Sequence, residues 1–364
     1  MTTATRDPVA AIPWGECLVP PATPPADLAA NVRRNLGTLP SWAPRLAPLP
    51  WLVCVLSDVA AGPVAYLPSR LLEMVGLVVS RDNSCRYCYG AQRAFMRMLG
   101  YDRREIERLE RDELVAFEPA ERLALEFGRQ VSRCSPRPGR DDRAALERAG
   151  FSRQAVAELA FAAASVVFAN RVNTLLALPP VTFDRPAFQL AARLVRPLLV
   201  RRFAHRPRAP EPSPTPNDGV GSVAVAALGD SPTAGSLRRA VDEALGSPVL
   251  PRRTKLLMLG VIARALDCTH SEREATAALV AEGMDPRDAA DALAHLGARS
   301  LDAREGRLLP FARETVRCQP ADIQARTRAL ATTLGLGVEE LLEVVGVTAL
   351  ANMLCRASVL VEPC

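Results

Sequence analysis

Residues 71–100 read LLEMVGLVVSRDNSCRYCYGAQRAFMRMLG. An apolar run gives way to Arg81-Asp82-Asn83-Ser84, and a second amphipathic run then continues to Gly100. The pattern predicts a helix over 68–80, a turn near 81–83 and a second helix over 84–99, folded back antiparallel on the first. Asn83 or Ser84 can cap the second helix, and Gly100 can close it in the left-handed conformation. Cys85 then falls in the first turn and Cys88 one turn later. Residues three apart share a helix face, so the two sulfurs can meet.

That position has chemical consequences. A helix N-terminus offers free N–H groups and partial positive charge, which favour a thiolate. A thiolate is a nucleophile near neutral pH, and a neighbouring thiol can trap its oxidised form as a disulfide. Glu73 lies in the preceding helix. Seven residues back along it is roughly 10 Å, and Cys88 lies roughly 6 Å into the next, so Glu73 is expected near the level of Cys88. Leu71, Leu72, Met74, Val75 and Leu77 surround Glu73 in sequence, and burial there would raise its pKa. Such a carboxyl can take a thiol proton or protonate a leaving group. Gln92 lies on the face of Cys88, four residues on, and can hydrogen-bond but not titrate.

Plainer readings exist for each residue. Two cysteines near a helix start can be core residues, and Glu73 can be a solvated helix charge. Structural zinc asks for four ligands, yet there is no second CxxC and the only histidines are 205, 270 and 295. A thioredoxin-like site asks for strands in a βαβ context, which the pattern lacks. Tyr87 and Tyr89 are read as packing residues. No cofactor and no metal are expected.

Outward from this segment the chain reads as all-α. Period-2 alternation is scarce, and Leu, Ala, Arg and Glu dominate over aromatic residues, which make up 5%. Residues 1–24 read as a loose, Pro-rich arm. A short helix is expected over Pro25 to Leu36, then a Pro-punctuated stretch to Pro63. Further helices are expected over 102–112, 118–132, 141–149, 152–164 and 165–177, with Gly100, Gly150 and Pro179-Pro180 as stops. Residues 206–217, RPRAPEPSPTPN, are the clearest linker. Helix resumes from about Ser236. With 364 residues, two domains are the expectation, each long enough for its own core. The units are 25–205 and 236–364, joined by 206–235.

The second half repeats the first. Pro68, Cys85, Gly100 and Asp102 are answered, each 183 residues on, by Pro251, Cys268, Gly283 and Asp285. RQVSRCSP around Cys134 is answered by RETVRCQP around Cys318, and FANRVNTLL around Asn170 by LANMLCRASVL around Asn352. Landmarks in one order at near-constant offset point to a duplicated unit rather than a solenoid, whose repeats are shorter and more numerous.

Composition narrows the partners. The net charge is +5, with one lysine, Lys255. Arginines are mostly interleaved with acids, so no nucleic-acid face is expected. The concentrated stretch, Arg193 to Arg208, reads as a solvated helix end running into the linker. The longest apolar run, Leu159 to Ala169, is too short to span a bilayer, and no signal-type N-terminus is seen. The expectation is a cytoplasmic protein without a membrane partner. Nine scattered cysteines in such a chain do not form a disulfide framework.

Taken together, E-x11-C-x-x-C on two successive helices, with EPAERLALEFGRQVS and the run from Glu147 to Pro179, resembles the carboxymuconolactone decarboxylase / alkyl hydroperoxidase D family over about residues 25–185. A decayed version covers about 236–362. The resemblance implies an all-α bundle with a thiol-peroxidase or disulfide-reductase site, in which Cys88 attacks a hydroperoxide or disulfide substrate and Cys85 resolves. It implies Glu73 as proton relay. Gln92 stands where the family has a histidine, so the relay loses its imidazole. A thiol reductant, such as a lipoyl or thioredoxin-like protein, and a homo-oligomer are further implications. In the second unit Leu256, Ser271 and Ala275 replace Glu73, Cys88 and Gln92, leaving Cys268 with His270 nearby. With no resolving neighbour in sequence, that unit reads as structural. Two rivals stay open. One is a non-catalytic redox sensor or assembly protein. The other is decarboxylase or lactone chemistry, whose family members use groups absent here.

Overall fold

In the computed structural model, residues 9, 11–62, 64–180, 219–317 and 319–361 are described. The chain is all-helical, with no strand among the described residues. The Arg193–Arg208 stretch, the 206–217 linker, Cys318, Cys364 and His205 fall outside them.

The first half contains α1 (Ala26–Leu36), a short α2 (Ala43–Leu46), α3 (Pro50–Ala61), α4 (Ser69–Asp82), α5 (Arg86–Leu99), α6 (Arg103–Glu110), α7 (Pro119–Arg133), α8 (Arg140–Arg148) and α9 (Arg153–Leu175). The second contains α10 (Ser222–Ala227), α11 (Pro232–Gly246), α12 (Arg252–Ala265), α13 (Thr269–Ala281), α14 (Pro286–His295), α15 (Glu305–Glu314), α16 (Pro320–Leu334) and α17 (Val338–Ala357).

Three elements depart from the sequence reading. Helix α3 lies in the stretch read as Pro-punctuated. Pro50 does not interrupt it but starts it, at the first helical position where a missing N–H costs nothing. Helix α9 is continuous where two helices were expected, because Ala162 to Ser165 contains no breaker. Helix begins again at Ser222 and Pro232, earlier than Ser236.

Helices α9 and α17 form the centre and make the most extensive helix–helix contact in the molecule. Both are apolar nearly all round, the pattern of a helix buried on every side. By length and composition α9 would cross a membrane, and its most apolar window is 89% buried inside the protein. On one side of this pair lie α4, α5 and α7, and on the other α11 and α12. One apolar cluster runs through both halves.

Buried polar groups tie the halves together. The Lys255 ammonium lies 3.2 Å from Glu343, both side chains fully buried. It also donates to the carbonyls of Ala244 and Ser247, at 2.7 and 2.6 Å, filling all three donors. Burial pulls the Lys255 pKa down, and the Glu343 charge opposes that. Trp51, on α3, donates its indole N–H to the other Glu343 oxygen at 2.9 Å. Its ring lies over Gly346, where a Cβ would come within 2.6 Å of it. Residues 11–24, read as a loose arm, lie against the same body: Trp14 donates to Leu178 O, Leu18 N to Leu176 O and Gly15 N to Gln324.

Candidate functional site

Helix α4 ends at Asn83, which turns the chain toward α5. Ser84 takes a left-handed φ of 56°, and Cys85 follows as the N-cap of α5, extended, with its sulfur accepting the Cys88 N–H at 3.4 Å. The expected caps, Asn83 and Ser84, thus give way to the cysteine itself. Asn83 instead accepts from Arg171 at 3.0 Å and donates to Ser132 at 2.9 Å, pinning the turn to α9 and α7.

This shift of one position decides which sulfur feels the helix end. Burial would raise the Cys85 pKa, but it is outweighed by hydrogen bonds from the Cys88 thiol, the Cys88 N–H and Thr174, and by the Arg171 charge, so the Cys85 pKa is lowered. Burial pushes Cys88 well up, reinforced by its hydrogen bond to Cys85 and the Cys85 charge; Asn170 and Asn173 oppose this. Of the two, Cys85 is therefore the more readily ionised and Cys88 the less. Cys85 has no exposed surface, whereas Cys88 is half-buried. The less buried residue of the pair is thus the one whose pKa is raised.

Helix α9 supplies the rest of the setting. Asn173 donates to the Cys88 sulfur at 3.3 Å, and Asn170 donates to Ser80 on α4 at 3.2 Å. The side-chain oxygens of Asn170 and Asn173 and the Nε of Arg171 are buried without protein partners, which leaves polar capacity beside the sulfurs. Asn170, Asn173, Thr174 and Arg171 have no assigned role in the sequence reading, where their segment serves only to mark the repeat. The available signal was polarity: four polar side chains in one turn of an otherwise apolar buried helix require partners.

Glu73 is buried, with 8% exposure. The Gln92 amide donates to its carboxylate and, at 3.2 Å, to its backbone carbonyl. Gly76 makes room for this, since a Cβ there would lie 2.9 Å from Gln92 Cδ. The four predicted residues thus fall into two hydrogen-bonded pairs, Cys85 with Cys88 and Glu73 with Gln92. The second pair meets α5 one turn beyond Cys88. Tyr87 and Tyr89 are buried. The Tyr87 hydroxyl meets Ser41 at 3.0 Å, and burial, together with the nearby thiols, pushes its pKa up to about 12.

Fold and site together define an all-helical protein with two cysteines at one helix start, a buried Cys85 that caps α5 and a half-buried Cys88 one turn on. No known family model, curated protein or solved structure matches the chain.

Proposed function

We propose that Cys85 and Cys88 form a dithiol–disulfide centre that reduces a small hydroperoxide or disulfide, as the resemblance to alkyl hydroperoxidase D implies. The observation that carries this reading is the hydrogen bond between the two sulfurs at the start of α5. Cys88 passes its proton to Cys85 and attacks the hydroperoxide, because it is the sulfur with access. The O–O bond breaks, Cys88 becomes a sulfenic acid, and the leaving alkoxide takes the proton now held by Cys85. The Cys85 thiolate attacks the Cys88 sulfur, the S–S bond forms and hydroxide leaves. One hydroperoxide gains two electrons and the thiol pair loses them. A dithiol reductant of the lipoyl or thioredoxin type must return two electrons to restore the pair, becoming a disulfide itself.

The proton arrangement sets a pH dependence. A Cys88 pKa held above the ordinary thiol range means that its thiolate fraction, and its rate of alkylation or oxidation, rises with pH through and beyond that range. Cys85→Ser removes the neighbouring negative charge. The Cys88 profile is then expected to move to lower pH, which alkylation rates measured against pH would show. A profile unmoved or shifted upward contradicts the shared-proton arrangement.

Loss of the family histidine favours the sensor reading as an alternative. Gln92 cannot carry a proton, and its amide is committed to Glu73. Gln92→His restores an imidazole titrating near pH 6.5. On the enzymatic reading, steady-state hydroperoxide turnover with added dithiol should rise about tenfold or more. An unchanged low turnover, with the disulfide still forming once, favours the sensor.

We also propose that the chain is a tandem pair of related helical units. Supporting this, Ser84 and Asp267 both adopt left-handed φ, 56° and 51°. Each precedes a cysteine that caps a helix, Cys85 for α5 and Cys268 for α13. Pro68 and Pro251 precede helices of 14 residues each, α4 and α12. The long helices α9 and α17 then pack on each other as the equivalent elements of a symmetric pair would. Such internal pairing fills the surface that a second subunit would cover.

A further inference from the structure

The second half places a cysteine where the sequence reading found no partner for Cys268. Cys268 caps α13, and Ser271 at the position matching Cys88 has its oxygen 3.2 Å from the Cys268 sulfur. The new neighbour comes from α17. Cys355 hydrogen-bonds the Cys268 sulfur. Ser358, one turn on, lies 2.9 Å from the same sulfur and 2.8 Å from the Cys355 carbonyl. In the alignment of FANRVNTLL with LANMLCRASVL, Cys355 occupies the position of Asn173, which is the residue that donates to Cys88. The second half has thus exchanged a pair on one helix for a pair across two.

We propose that Cys268 and Cys355 form a second dithiol–disulfide couple, oxidised by a small hydroperoxide. The Cys268 thiolate attacks the peroxide oxygen. The O–O bond breaks, the alkoxide leaves (hydroxide when the oxidant is hydrogen peroxide) and Cys268 becomes a sulfenic acid. The Cys355 sulfur then attacks Cys268, the S–S bond forms, and the Cys355 proton leaves with the departing hydroxyl as water. The pair loses two electrons and the peroxide gains them.

Three further features support this. The Arg137 guanidinium lies 3.9 Å from the Cys268 sulfur and 2.9 Å from Ser358, a cation placed beside the nucleophile. It donates to the Ser358 oxygen, whose own proton goes to the Cys355 carbonyl, so Ser358 is held in place beside both cysteines. Hydrogen bonding with Cys355, Ser271 and Ser358 and the Arg137 charge, against burial, bring the Cys268 pKa down to about 4, while the hydrogen bond to Cys268 and burial push Cys355 well up. Both sulfurs have no exposed surface, but Arg137 is half-buried and follows the exposed Ser135-Pro136. The pair thus lies beneath a residue that reaches the surface, and the oxidant proposed for it is a small one.

The test is independent of the Cys85–Cys88 centre. Folded Cys85→Ser/Cys88→Ser protein is treated with excess hydrogen peroxide, alkylated, digested without reductant and mapped by mass. The expected result is loss of two alkylatable thiols and one cross-linked peptide joining Cys268 to Cys355. The parent protein mapped in parallel should carry the same link, which guards against misfolding of the double variant. In both proteins, recovery of Cys268 and Cys355 as alkylated thiols, conversion of Cys268 to a sulfinic acid, or a link from either to Cys134 would overturn the proposal.

Discussion

Cys88→Ser protein is expected to lose hydroperoxide consumption by at least about 100-fold at the first centre, since the removed atom is the attacking nucleophile. The effect is read by stopped-flow with reduced protein bearing Cys268→Ser, so that the second thiol pair adds nothing. Cys85→Ser should behave differently. Its Cys88 still attacks, but no partner resolves the product, so one equivalent is consumed in forming the sulfenic acid and a second takes Cys88 on to the sulfinic acid. The contrast follows from the division between a half-buried Cys88 and a fully buried Cys85. Equal rates in the Cys88→Ser and parent proteins would remove Cys88 from the chemistry.

The second large effect concerns stability. Lys255→Met leaves Glu343 buried with donors from Trp51 and Ser247 but no counter-charge. Breaking a buried pair from one side costs about 3–5 kcal/mol. Chemical denaturation should show a lower midpoint with little change in slope. Lys255→Met/Glu343→Leu should recover much of the loss, because an uncharged pair of similar volume carries no desolvation cost. The recovery is incomplete by about 1 kcal/mol, because the Trp51 N–H then lacks an acceptor. A single-variant loss below about 1 kcal/mol would show that this buried ion pair contributes little to the fold.

These two expectations rest on features of unequal legibility. Helices α4 to α8 were readable because their apolar spacing is regular and their ends carry strong stops, such as Gly100. The adjacency of Cys85 and Cys88 was readable from their spacing, and that of Glu73 and Gln92 from an antiparallel turn between helices. The identity of the cap was not. Asn83 and Ser84 are better cap residues than cysteine by propensity, but Asn83 is recruited by Arg171 and Ser132 from distant helices, and the cap moves to Cys85. Tertiary hydrogen bonds overrode the local preference, and with it which residue accepts the N–H at the helix start.

Other features depended on contacts that local pattern does not encode. Pro50 carries the same letter whether it breaks a helix or begins one. Asn173 and Cys355 gain meaning only when α9 and α17 bring them to sulfurs far away in the chain. Lys255 stands out in the sequence only as the single lysine, and the fold makes it the cation of a buried network. In each case the sequence shows an isolated polar or reactive residue in an apolar stretch, and only packing names its partner.

Mass mapping after half an equivalent of hydroperoxide addresses the first centre most directly. Limiting oxidant should reach the half-buried Cys88 before the arginine-covered pair, so the first new species should be a peptide bridging residues 85 and 88. A map in which Cys88 is overoxidised while Cys85 is still alkylated would contradict a shared thiol centre at the start of α5.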